Sequence, residues 1–92
     1  MKLIINIPAY NEAEKIGETI RRIPRSFEGI DEVTIHVVDD GSNDHTDRVA
    51  RDAGADRVIV HTRNKGLGRA FRTSVEAALE AGADIMVNID AD

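Results

Sequence analysis

Short apolar runs alternate along the chain with segments whose apolar residues recur every three or four positions. The runs occupy residues 2–7, 33–38, 57–61 and 85–89. They are rich in Ile and Val, and two show almost no alternation. That pattern predicts strands buried on both faces of a parallel sheet. In the first intervening segment Ile16, Ile20 and Ile23 fall on one helical face. Asn11-Glu12-Ala13-Glu14 ahead of them has the form of a capping box, which places the helix start at Asn11, and Pro24 ends it. A second helix is expected from Asn43 or Asp44, with Val49, Ala50 and Ala53 inward and Gly54 as its stop. A third is expected over residues 67–81, burying Leu67, Ala70, Phe71, Ser74, Val75, Ala78 and Ala81 and ending at Gly82. Residues 25–32 read as a loop.

The resulting order is β-α-β-α-β-α-β. Right-handed crossovers then put helices on both faces of a mainly parallel sheet, a three-layer α/β/α arrangement. A short echo fits this order. Ala53-Gly54-Ala55-Asp56 and Ala81-Gly82-Ala83-Asp84 each join a helical segment to a strand. Both read as the same turn, with glycine in the left-handed conformation just past the helix.

Composition narrows the function classes. With 41% apolar and 32% charged residues the chain belongs with ordinary globular proteins rather than disordered ones. Lys and Arg number 12 against 17 Asp and Glu, a formal net charge of −5. Such a balance argues against a nucleic-acid partner, which demands a basic footprint. The absence of Cys removes disulfides, thiolate nucleophiles and Cys-based metal centres. The apolar start is too short for a signal peptide, and no run approaches the roughly 18 residues that span a bilayer. The expected compartment is therefore cytoplasmic.

Ligands of open parallel sheets bind beyond the carboxyl ends of the strands. Four segments fall there: Pro8-Ala9-Tyr10-Asn11-Glu12, Asp39-Asp40-Gly41-Ser42, Arg63-Asn64-Lys65-Gly66-Leu67-Gly68-Arg69 and Asp90-Ala91-Asp92. Asp90 and Asp92 bracket one small residue, so both carboxylates can serve a hard cation such as Mg2+ or Mn2+; the same residues also read as a solvated acidic end. A carboxylate of the Asp39-Asp40 pair can accept the ring N–H of uracil or guanine, or belong to a turn, with Ser42 a turn or cap residue. Tyr10 offers a ring to a nucleobase, or is an ordinary half-buried tyrosine. Lys65 and Arg69 suit a diphosphate or a solvated helix start. His36, His45 and His61 have no ligand spacing, and His36 and His61 read as structural.

Taken together and in order, these four segments resemble the family 2 glycosyltransferases of the GT-A fold. The resemblance covers essentially the whole chain. It implies the Rossmann-like half of that fold and a site for a nucleotide-diphospho-sugar, a GDP- or UDP-sugar. Pro8, Tyr10 and Glu12 would line the nucleoside pocket, Val38 would contribute backbone contacts and Asp40 would pair with the base. Asp90 and Asp92 would be the D-x-D pair that holds Mg2+ or Mn2+, and Ala91 would adjoin the ribose-diphosphate. The implied reaction is sugar transfer with inversion to an acceptor. Lys65-Gly66-Leu67-Gly68 with Asp90-Ala91-Asp92 is most similar to transferases that load polyprenyl phosphates, whose acceptor would bring the full-length protein to the cytoplasmic membrane face.

On this reading residues 1–92 are the N-terminal donor-binding part of a glycosyltransferase domain, cut after the D-x-D motif. The general base would lie further on, the isolated piece would not turn over, and its uncovered fourth strand would favour self-association. Two other classes compete. A phospho-receiver signalling domain also carries an acidic pair, but after its first strand, and it needs an Asp where His61-Thr62-Arg63-Asn64 stands. A non-catalytic α/β binding module would have no need of both acidic pairs.

Overall fold

The computed structural model describes residues 1–91. The elements are β1 (Lys2–Ala9), α1 (Ile16–Arg21), β2 (Glu32–Asp39), α2 (Thr46–Ala53), β3 (Arg57–Val60), α3 (Leu67–Glu80) and β4 (Ile85–Asn88). All four strands pair in parallel in the order β3-β2-β1-β4. The near-continuous apolar runs of β1 and β2 occupy the two central positions, where both faces are covered. On one face Ile16 and Ile20 of α1 and Ala50 of α2 pack against Leu3, Ile5, Ile7, Ile35 and Val37. On the other, α3 lies over β1 and β2 and buries Ala70, Ser74, Ala77 and Ala78. The expected α/β/α layering is the observed one.

The Ala-Gly-Ala-Asp echo has a structural cause. Gly54 and Gly82 take φ of +110° and +76°, past the ends of α2 and α3. The amides of Ala55 and Ala83 then donate back to the carbonyls of Ala50 and Ala78, closing both helices in the same way. The aspartates set strand register. The Asp56 amide donates to the Ile35 carbonyl at 2.9 Å, and its carboxylate accepts the Ile35 amide at 2.7 Å. Asp84 treats Lys2 in the same manner, at 2.9 and 2.6 Å. Each aspartate thus grips both polar groups of one residue on the neighbouring strand. Burial raises the Asp56 carboxyl, but the Ile35 amide and the Arg25 guanidinium outweigh it and hold the group below its ordinary range.

Three expectations need correction. Helix α1 begins at Ile16, not Asn11, and no side chain caps it. Asn11 sits at φ +53°, and its side-chain Oδ1 accepts the Asn43 amide at 2.8 Å instead. Its partner is 32 positions away, so the local pattern was matched by a tertiary bond. Helix α2 begins at Thr46, because the Asp44 carboxylate accepts both the amide and the hydroxyl of Thr46. Leu67 and Phe71 are not on the inner face of α3: they are 72% and 49% exposed. The small residues Ala70, Ser74, Ala77 and Ala78 form the contact stripe, and Phe71 is turned about 100° around the helix from Ala70.

Beneath α3 a polar row crosses the sheet. Asn6 of β1 stands in register with His36 of β2 and Asn88 of β4, and His36 with Arg57 of β3. Asn6 and His36 are buried, and the Asn6 amide donates to Asn88 at 3.0 Å. Burial, with the Arg57 charge beside it, holds the His36 imidazole below its ordinary value. The unfolded chain therefore binds the more protons as pH falls below about 6.5, and stability drops through that window towards the folded value. Urea midpoints at pH 7.5 and 5.5 should differ in the wild type and differ less in His36→Gln. An undiminished pH dependence in the variant would contradict this.

Candidate nucleotide site at the carboxyl edge of the sheet

The carboxyl ends of the strands bring the four segments to one edge. Residue 39 ends β2, and the chain turns at Gly41, φ +74°. This turn runs under the 63–66 loop so closely that a Cβ on Gly41 would lie 2.3 Å from the Arg63 carbonyl carbon. The two acidic residues before it have separate tasks. Asp39 is buried and accepts the amide and hydroxyl of Ser42, and the Ser42 oxygen in turn accepts the Asn11 amide at 2.8 Å. Asp39 and Ser42 therefore tie the loop after β1 to the loop after β2.

Asp40 is 5% exposed and organises the opposite side. Its Oδ1 accepts the Lys65 amide at 2.9 Å and lies 2.8 Å from His61 Nδ1; its Oδ2 accepts the Gly66 amide at 2.9 Å. His61 Nε2 lies 2.9 Å from the Thr73 hydroxyl of α3. Burial pushes the Asp40 carboxyl up, but the donors of His61, Lys65 and Gly66 outweigh it and hold it below the ordinary carboxylate range. Asp40 is therefore an anion at neutral pH, kept at the edge of the sheet by the start of α3.

A cavity of about 270 Å³ opens beside it, lined by Pro8, Ala9, Tyr10, Asp40, Asn64, Gly66, Leu67 and Ala70. A second, of about 430 Å³, shares Pro8 and Leu67 with the first and reaches Asn88, Ile89 and Asp90. The two adjoin at Pro8 and Leu67, a groove in two parts with Asp40 in one and Asp90 in the other. Its walls carry Tyr10, 44% exposed, and the exposed Leu67 and Phe71. A third cavity, lined by Arg63, Asn64, Lys65 and Arg69, meets the first at Asn64.

The sequence-predicted residues divide accordingly. Pro8, Tyr10 and Asp40 line the first cavity, and Asp90 the second. Lys65 and Arg69 come together, in the neighbouring cationic cavity rather than between Asp40 and Asp90. Glu12 is half-buried; its amide donates to the Thr46 hydroxyl and its carbonyl accepts the Lys15 and Ile16 amides at the start of α1. The Val38 side chain is fully buried in the sheet, in register with Pro8 and Ile59. Ala91 is buried, and its carbonyl accepts the Thr19 hydroxyl at 2.7 Å. Asp92 lies outside the described residues, and among the described residues no three carboxylates or imidazoles cluster as a metal site. Asp90 is exposed at the groove's end, and no described residue hydrogen-bonds its carboxylate, so an oxygen donor is free for a hard cation.

Two residues that line the cavities had no site role in the sequence reading, Asn64 and Leu67. Their place in the segment after β3, at the ligand edge, was the available signal. His61 is structural as expected: it is buried and holds Asp40. Asn64 lines two cavities, and Leu67, expected in the core, forms the groove wall.

Known proteins match along nearly the full length. The profile of glycosyl transferase family 2 matches residues 4–92. A dolichol-phosphate mannosyltransferase of Pyrococcus furiosus is 37% identical over 100% of this chain and 26% of its own length. An undecaprenyl-phosphate mannosyltransferase of Micrococcus luteus is 35% identical over 100% of this chain and 38% of its own. Among solved structures, glucosyl-3-phosphoglycerate synthase of Mycobacterium tuberculosis superposes with a TM-score of 0.78 at 33% identity. That match covers 99% of this chain and 33% of that one, and that enzyme was crystallised with Mn2+, UDP-glucose and phosphoglyceric acid. The chain thus spans well under half the length of these relatives. No helix among its described residues is long and apolar enough to cross a membrane.

Proposed function

The chain belongs to glycosyl transferase family 2, and on that premise we propose that its carboxyl-edge groove binds the nucleotide-diphospho-sugar donor of a metal-dependent, inverting glycosyl transfer. The observation that carries this reading is the pair of adjoining cavities, one lined by Tyr10 and Asp40 and the other by Asp90. The base stacks at Tyr10 and gives a ring N–H to Asp40, while Pro8 supports the pocket floor. Glu12 and Val38 shape it through backbone rather than side-chain contacts. The ribose-diphosphate runs past Leu67 towards Asp90, Ala91 and Asp92. Lys65 and Arg69 flank the base end and soften the field of an acidic chain around a polyanionic ligand.

A diphosphate does not settle beside carboxylates without a cation between them. Asp90 and Asp92 are the residues proposed to hold Mg2+ or Mn2+, whose charge, when bound, stabilises the departing nucleoside diphosphate. Inversion follows from attack of the acceptor oxygen on the anomeric carbon opposite the breaking bond to the diphosphate. The general base for a hydroxyl acceptor, and the acceptor site, are proposed to lie outside these 92 residues, so that the isolated chain binds donor without turnover. The named relatives support a polyprenyl phosphate at a membrane face as the acceptor of the whole protein.

Calorimetric titration with UDP and GDP, with and without Mg2+, tests this. Removing the ion should weaken binding by at least about tenfold, or about 1.4 kcal/mol. Asp90→Asn should lower the Mg2+-dependent gain and leave the metal-free affinity unchanged. Binding indifferent to both the ion and Asp90 would remove the metal from the account.

A further inference from the structure

The segment that carries Asp90 leaves the sheet at a proline and is caught by α1. Even-numbered residues of β1 turn their backbone groups to β4: the Lys2 and Asn6 carbonyls accept the Asp84 and Ile89 amides at 2.9 and 3.0 Å. Pro8 is next in that series and has no N–H to offer the Ile89 carbonyl. The strand register accordingly ends at Asn6 and Asn88. Among the described residues no backbone hydrogen bond ties residues 90 and 91 to the sheet. Their hold comes from the half-buried Thr19, whose hydroxyl donates to the Ala91 carbonyl at 2.7 Å. A helical threonine hydroxyl ordinarily turns to the carbonyl four residues back. Here that carbonyl, of Lys15, lies farther off at 3.2 Å and already takes the Thr19 amide at 3.1 Å. The Ala91 methyl is buried in the same core as Ile16 and Ile20 of α1. Ala91 is thus pinned by its methyl and its carbonyl, while Asp90 before it lines the groove.

We propose that Thr19 is a positioning residue for the cation site: by holding the Ala91 carbonyl it fixes the one residue that joins Asp90 to Asp92, and so raises the affinity of these carboxylates for Mg2+ or Mn2+. The inference rests on the donor-site reading and adds to it a residue of α1, outside the four strand-end segments. A hard cation takes oxygen ligands in a set geometry, and a loose segment must lose backbone freedom to supply it. The bond from Thr19 removes part of that loss before the ion arrives. Thr19 acts through the backbone and touches neither ion nor nucleotide. Its proton goes to a carbonyl and not to a carboxylate, so the negative charge that the ion meets is undiminished.

The test is a titration of Mn2+ into the 15N-labelled chain with UDP present, in which broadening of the Asp90 and Ala91 amide signals gives the ion's apparent affinity. Thr19→Val keeps the side-chain shape and removes the hydroxyl. It should weaken Mn2+ about three- to tenfold, the range expected for one hydrogen bond. Thr19→Ser keeps the hydroxyl and should stay within about twofold of the wild type. Thr19→Ala carries the same test if the valine variant does not fold. A merely structural threonine would lower the urea midpoint of Thr19→Val and leave the Mn2+ affinity of the folded chain where it was. That outcome, or equal losses in the valine and serine variants, would overturn the proposal, and the donor site would stand if Asp90→Asn still weakened Mn2+. A folded wild type that shows no Mn2+ broadening at Asp90 would overturn the cation reading and this inference with it.

Discussion

Replacing Gly41 with alanine is expected to cost the chain about 2–5 kcal/mol and to abolish nucleotide binding. Two effects add. At φ +74° an alanine sits in the left-handed region, at about 1–2 kcal/mol. Its Cβ would also meet the backbone of the 63–66 loop, 2.3 Å from the Arg63 carbonyl carbon and 2.4 Å from the Asn64 nitrogen. Backbone cannot rotate aside as a side chain can, so the loop must shift, at about 1–3 kcal/mol more. That loop carries the Lys65 and Gly66 amides that hold Asp40. The damage to stability and to the ligand pocket thus has one origin. Gly66→Ala is the comparison: its φ is +94°, but nothing lies within 4 Å of the added Cβ. It should suffer the backbone penalty without the collision. Urea midpoints of the three proteins check the order, and Gly41→Ala unfolding no more easily than Gly66→Ala would contradict it.

Removing the Asp40 carboxylate has the second largest expected effect. Asp40→Ala leaves the Lys65 and Gly66 amides and His61 Nδ1 without their acceptor at a buried site. Each unpaired buried donor costs about 1–3 kcal/mol before water enters. A net loss of about 2–4 kcal/mol is expected once the loop relaxes. The pH dependence identifies the carboxylate as the source. Its folded value lies below the ordinary one, so its contribution is fully present above about pH 4 and is lost as pH falls through the folded value. Wild type and Asp40→Ala should differ most near neutrality and converge in acid. A gap that persists undiminished at low pH would assign the effect to packing instead.

The architecture was legible because its causes are local or periodic. Unbroken Ile and Val runs announce central parallel strands, and the Ala-Gly-Ala-Asp turns announce helix ends through glycine's freedom at positive φ. The role of Asp56 and Asp84 in strand register was not legible, because their partners, Ile35 and Lys2, are 21 and 82 positions away. Asn11 failed as a predicted cap for the same reason. Its capping-box context was sound, but its side-chain Oδ1 found the Asn43 amide on the adjoining loop. In α3, periodicity marked an apolar face without distinguishing the stripe that touches the sheet from the residues beside it. Leu67 and Phe71 therefore read as core when they border a groove. The candidate site was legible as segments, since strand ends are where ligands bind. The division of labour between Asp39 and Asp40 was not, because it depends on which loop each carboxylate meets: the Ser42 turn for Asp39, the 63–66 loop for Asp40.

The central claim is that the groove from Tyr10 and Asp40 to Asp90 receives a nucleoside diphosphate with its cation. The most direct measurement is an amide-resolved NMR titration of the 15N-labelled chain with UDP in the presence of Mg2+. Shifts confined to Tyr10, Asp40, Asn64 to Leu67 and Asp90, weakening at Asp90 when the ion is removed, are the predicted result. A folded chain whose spectrum does not move at these residues, or moves only at Arg63 and Arg69, would contradict it.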